Sequence, residues 1–259
     1  MLLRRMTQHV KNQNWFAVGL DFLIVVIGVF VGLQVNNWNE ARAEAEQAYD
    51  LLSSIAEDLS IDRAELGAGA ESIRVSMRAG NYALRRIGEP PLDTLPAAAI
   101  DTPGLNPLVG AFEVPHVGDP GADERDRLWS IVLASFYPSA GSTAYDALTN
   151  TGKLGIIRDP GLVSDLQDYY QIWVGIDETH AGTLRPLRND AVSVGQRYGL
   201  SPFSEIPEDE FLEKLKEHEE LRAALRTQIG YKIRHYQLIV EADEAAEALL
   251  SKLERKGTK

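Results

Sequence analysis

Apolar positions fall along this chain in two patterns: one unbroken run, and a series of one-sided helical stripes. The run is Trp15 to Val35, WFAVGLDFLIVVIGVFVGLQV, with only Asp21 and Gln34 strongly polar. As a helix it spans about 31 Å, matching a hydrocarbon core of about 30 Å. A soluble core helix rarely lacks a polar face for so long. The run is also too long for the apolar part of a signal peptide, and no small-residue cleavage site follows it promptly. The expectation is an uncleaved transmembrane helix over 15–35.

After it the pattern becomes a heptad. Trp38, Ala41, Ala45, Ala48, Leu52, Ile55, Leu59 and Leu66 follow alternating steps of three and four, with one miss at Asp62. Ile24, Ile27, Val31 and Gln34 carry the same step back into the span. The spacing predicts one stalk helix from about residue 15 to the high sixties, weakened at Gly67 and Gly69. Further helix is expected over Ile73–Ile87.

The stretch 89–125 holds seven of the twelve prolines and four interrupting glycines. It reads as a long loop or cover without regular structure. Arg127–Tyr137 is apolar and favours helix. Ser142 is placed to cap a short helix over Thr143–Asn150, stopped by Gly152. Asp159 with Pro160 opens another helix, with Leu162, Leu166, Tyr169, Trp173, Ile176 and Leu184 on one stripe. Pro186 should kink or end it, with a short helix following to Tyr198. One last helix is expected from Pro207 to about Glu254, its stripe running from Leu221 through Ile233 and Ala242 to Leu253. The fold class that follows is all-α, with an antiparallel helical bundle and no competing strand alternation.

Charge sets direction and excludes some partners. Arg4, Arg5 and Lys11 precede the span with no acid, whereas Glu40, Glu44, Glu46 and Asp50 follow it against Arg42. The positive-inside rule keeps residues 1–14 as a cytoplasmic tail and exports 36–259. Trp15 and Trp38 bracket the span at interfacial depth. Phe22, Ile24, Ile27, Gly28, Val31 and Gly32 complete the expected anchor. Gly28 and Gly32 form a G-x-x-x-G pair that permits close helix approach. The net charge of −12 argues against nucleic acid. Candidate partners are the lipid bilayer, a second copy and another membrane protein. There is no cysteine, which excludes disulfides and thiolate metal sites.

The residues Val25 to Arg42, VVIGVFVGLQVNNWNEAR, resemble a widespread bacterial family of single-pass membrane proteins of unknown function. Its members have an N-terminal helix ending in a similar Ile-Gly…Leu-Gln-x-Asn-Asn-Trp-Asn-Glu sequence. Tyr145 to Pro160 and the Asp168-Tyr169-Tyr170 run are similar to a second stretch of that family. The resemblance covers about forty residues. It implies membrane location and a bacterial source; it assigns no activity and no residue role.

Chemistry is sparse. There is no phosphate loop, nucleophile elbow or H-E-x-x-H motif. Glu217-His218-Glu219-Glu220 reads as a solvated charged face rather than a metal site, and Asp177-Glu178-Thr179-His180 is a poor match to a di-metal motif. No cofactor and no metal are expected. Glu113, His116 and Asp119 form the candidate functional loop, since a loop histidine beside acids is where a site can sit. The favoured function is a membrane-anchored module that binds or scaffolds a partner in the periplasm. The alternative is an extracytoplasmic hydrolase using paired carboxylates near Glu113, Asp119 or Asp146.

Overall fold

The computed structural model describes residues 15–95, 112–113, 118–134 and 136–257. Among the described residues the protein is all-helical apart from one two-residue pairing. Helix α1 is Trp15–Arg86, 72 residues without a break, about 108 Å at the standard rise. It contains one helix long and apolar enough to cross a membrane, and none of that apolar window is buried in the protein. Phe22, Ile24, Ile27 and Val31 all point outward.

Two helices expected over 15–87 are therefore one. Gly67 and Gly69 do not end α1, because packing holds it on both sides of them. Leu66, Ile73, Met77 and Leu84 are all buried on the side facing the bundle, and this outweighs a glycine cost of about 1 kcal/mol each. The helix stops where its last carbonyls are satisfied. Gly88 adopts φ 84°, while Gly88 N–H donates to Arg85 O and Glu89 N–H to Leu84 O, the pattern of a left-handed helix stop.

The other helices are short until the last. They are α2 Leu128–Leu133, α3 Thr143–Asn150, α4 Pro160–Thr179, α5 Arg185–Arg197, α6 Glu208–Glu217 and α7 Glu219–Gly257. Asp159 caps α4 as expected, accepting from Leu162 N–H at 3.0 Å. Pro186 neither ends nor sharply breaks the path. A π turn over His180–Leu184 joins α4 to α5, widening the helix where the proline supplies no N–H.

The expected last helix is two. His218 is extended, at φ −115° and ψ 103°, between α6 and α7. The apolar stripe explains the break: Phe211, Leu212 and Leu215 bury one face, but the next stripe residue is Leu221. Polar His218 and Glu219 occupy the turn where continuation would need an apolar side chain. Arg222 Nη1 donates to Leu215 O and Lys216 O, both at 2.8 Å, and so satisfies the exposed end of α6.

Helices α1 and α7 run antiparallel and form the spine. Ile229 lies against Gly80, Arg63 pairs with Asp243 at 2.8 Å, and Leu253 comes level with Ala48 and Leu52. Between them, α2, α4 and α6 contribute Trp129, Tyr169 and Phe211 to one core. In the Pro/Gly-rich stretch, Thr94–Leu95 pairs antiparallel with Phe112–Glu113. Asn81 fixes the entry to that pairing, accepting from Leu92 N–H at 2.8 Å and donating to Leu92 O at 3.1 Å.

Candidate functional site

The loop trio does not assemble among the described residues. Glu113 enters the short pairing opposite Thr94. His116 lies outside the described residues. Asp119 accepts from Arg85 at 2.6 Å, an ion pair that ties the loop to the end of α1. Asp146 accepts from Ser142 Oγ at 2.7 Å. Ser142 thus stands at the N-cap position of α3 without capping it through its side chain.

The cap comes from α1 instead. Asp58, Asp62 and Glu65 lie on one face of α1 at helical spacing. They accept from three backbone N–H groups of one segment: Asp58 Oδ2 from Ala144 at 3.5 Å, Asp62 Oδ1 from Gly141 at 2.6 Å, and Glu65 Oε2 from Ser139 at 3.2 Å. Tyr169 Oη completes the clasp, donating to Asp62 Oδ2 at 2.7 Å. Tyr170 Oη donates to Gly141 O at 3.2 Å and its ring stacks on Tyr145. Any side chain at position 141 would press on the clasp, which would have to give by a few tenths of an ångström. A Cβ there would meet Asp62 Oδ1 at 3.2 Å and Asp58 Cβ at 3.3 Å. Asp62 is fully buried. Burial raises its pKa above the ordinary carboxyl value; the Gly141 and Tyr169 hydrogen bonds oppose this, and Asp58 and Glu65 add to the rise. Burial, then the bond to Asp62, pushes the Tyr169 hydroxyl up. A raised carboxyl beside a tyrosine has the ingredients of acid–base chemistry. Here both are sealed in the core, and the clasp anchors the segment before α3 to the stalk.

A second polar cluster holds the end of α2. Ser76 Oγ donates to Ile131 O and Val132 O, at 2.9 and 2.8 Å. Arg188 Nε donates to Leu133 O at 2.9 Å, and Lys232 Nζ donates to Ala134 O. The last carbonyls of a buried short helix thereby gain donors, two of them cationic, which also suits the helix dipole. Burial, reinforced by Arg188, lowers Lys232 to about 8. His235 and His180 sit beside this cluster with the Tyr137 ring between them. Their Nε2 atoms have no hydrogen-bond partner among the described residues. Burial first, then Lys232 and His180, lowers His235 to about 4. Among the described residues there is no group of three or more His, Cys, Asp or Glu suited to a metal ion.

The feature open to a ligand or partner lies elsewhere, at the end of the bundle nearest the apolar span. It is a groove of about 660 Å³, within the size range of ligand sites. One wall is the stalk: Ala45, Ala48, Tyr49, Leu52 and Ala56. The other is Ile156, Ile157, Pro160, Leu162 and Leu253, with Arg158 and Glu254 at the rim. Arg158 pairs with Glu44 at 3.6 Å across its lower edge. The lining is predominantly apolar. Sequence periodicity marked the stalk wall as a seam. On the opposite wall Pro160, Leu162 and Leu253 belong to helices that periodicity also marked, whereas Ile156 and Ile157 carried no local signal. A Cβ at Gly28 or Gly32 would meet nothing within 4 Å, and Trp38 is exposed.

No protein-family model matches the chain, and no curated protein or solved structure matches it either.

Proposed function

We propose that this is a single-pass membrane protein of the bacterial inner membrane. Its N-terminus is cytoplasmic, and its helical domain binds a partner in the periplasm. The observation that carries the reading is the continuity of α1. One helix carries a fully exposed apolar span and, without a break, the first wall of the groove. A groove built on a membrane helix is held at a fixed height above the bilayer. Its occupant therefore meets it near the membrane surface.

The orientation rests on Arg4, Arg5 and Lys11 before the span and on the acids after it. The resemblance of residues 25–42 to an anchored bacterial family points the same way. Among the described residues the alternative hydrolase reading draws no geometry in its favour. Of the two carboxyls raised by burial, Asp62 and Glu241, Asp62 is engaged by Gly141 and Tyr169, and neither is among the residues lining the groove.

The test is in-cell photocrosslinking from a benzoylphenylalanine residue placed at Tyr49, in the groove, or at Phe203, which is 93% exposed at the opposite end of the bundle. Discrete adducts from position 49 and none from 203 are expected. Absence of any adduct at 49 in intact cells would overturn the reading.

A further inference from the structure

The stalk carries a second apolar seam that the bundle takes up only at its upper end, where Leu52 and Ala56 pack against the core. Gly28, Val35, Arg42, Tyr49 and Ala56 stand seven residues apart, and Val31, Trp38, Ala45 and Leu52 interleave them at the intermediate heptad position. Intramolecular packing runs instead through Ile55, Leu59, Asp62, Leu66 and Ile73. Below that end the seam is open: Val31 is 56%, Val35 52%, Trp38 63% and Tyr49 61% exposed. It passes from the span straight into the groove, where Ala45, Tyr49, Leu52 and Ala56 form the stalk wall.

Lipid covers only the lower part of this seam. Headgroups extend about 5–8 Å beyond the hydrocarbon core. Ala45 lies ten residues past Val35, about 15 Å along the helix, and so stands in water. An apolar heptad seam in water calls for a protein partner. The membrane supplies one candidate of matched height and direction. Every copy of this chain crosses with the same polarity, so α1 of a second copy is parallel and presents the same residues at the same level. Small residues at Gly28 and Ala45 allow close approach. The one charged seam residue, Arg42, is already neutralised by Glu46 at 3.1 Å.

We infer that the groove is filled by the stalk of a second copy, giving a parallel dimer along the Val31–Val35–Trp38–Ala45–Tyr49–Leu52 seam. This rests on the reading of a membrane-anchored, partner-binding module and names its partner. Each stalk lies between its mate's stalk and the Ile156–Pro160 wall, so both grooves close about one two-fold axis normal to the bilayer.

The chain has no cysteine, so single cysteines report cleanly. Ala45→Cys, Tyr49→Cys and Leu52→Cys lie on the seam; Ala43→Cys and Ser54→Cys lie off it and are exposed. Copper–phenanthroline oxidation of native membranes should give a disulfide dimer of twice the chain mass, several-fold stronger at the three seam positions. Two differently tagged copies without cysteine should co-isolate in polymer-excised membrane discs, which guards against a misfolded variant. Uniform crosslinking at all five positions, or failure of the tagged copies to co-isolate, overturns the dimer. Photoadducts at Tyr49 to a different protein, with no dimer band, overturn the dimer and leave the module reading standing. No adduct of either kind overturns both.

Discussion

Acidification should weaken the fold through His235, and the size of the effect follows from where that ring sits. It lies on the inner face of α7, stacked towards Tyr137 at 6.2 Å between ring centres. Burial, Lys232 and His180 all disfavour its cation, which brings its pKa from 6.5 to about 4. In the unfolded chain it recovers a value near 6.5. Between pH 6.5 and pH 4 the unfolded state therefore binds more protons than the folded state, and stability falls as pH falls. At 1.36 kcal/mol per unit, the full shift amounts to about 3 kcal/mol, reached near pH 4. His180, also lowered chiefly by burial, acts with the same sign. The assay is urea unfolding of the full-length protein in detergent at a series of pH values, followed by circular dichroism. His235→Phe keeps an aromatic ring against Tyr137 and removes the titration. Its curve should match the native protein near pH 7.5 and lose less stability on acidification, the gap widening to about 3 kcal/mol. Carboxylates titrate in both proteins and cancel in the difference. Parallel curves from pH 7 to pH 4 would refute the reasoning.

Other perturbations probe separate contacts. Asp62→Ala leaves the Tyr169 hydroxyl and the Gly141 N–H unsatisfied in the core and should cost about 3 kcal/mol; Asp62→Asn, which retains an acceptor, should cost clearly less in the same denaturation assay. Gly195→Ala places a Cβ 2.6 Å from Trp129 Cζ2 and should destabilise by about 1–3 kcal/mol. Gly175→Ala, in α4 with nothing within 4 Å, should be neutral or gain up to about 1 kcal/mol. Lys232 has its pKa lowered to about 8, so raising the pH from 8 towards 10 should increase stability, and Lys232→Met should abolish that rise in thermal unfolding.

What the sequence disclosed was local, and what it concealed was distant. The cap at Asp159, the apolar span and the α7 stripe from Leu221 to Leu253 each rest on neighbouring residues, so periodicity and capping chemistry suffice to find them. The break at His218 was also written locally, in the five polar residues between Leu215 and Leu221. The surrounding charged residues, all good helix formers, masked it. The continuity of α1 past Gly67 and Gly69 depends on partners that local propensity cannot see. The same holds for the clasp. Asp62 shows in the sequence only as a gap in a heptad, because Gly141 and Tyr169 lie 79 and 107 residues away. The basic cluster at the end of α2 joins Ser76, Arg188 and Lys232 from three helices, and the groove adds the Ile156–Ile157 turn, which periodicity does not reveal, to readable helix positions.

The proposed function requires α1 to remain whole, with its apolar span in the bilayer and the bundle outside the cytoplasm. Protease treatment of spheroplasts carrying an epitope after Lys259 tests this directly. The expected result is a full-length protein retained in carbonate-washed membranes, whose epitope is lost on protease addition while a small N-terminal fragment containing the span survives. A soluble product lacking residues 1–35, or an epitope digested only after the membrane is lysed, would contradict it.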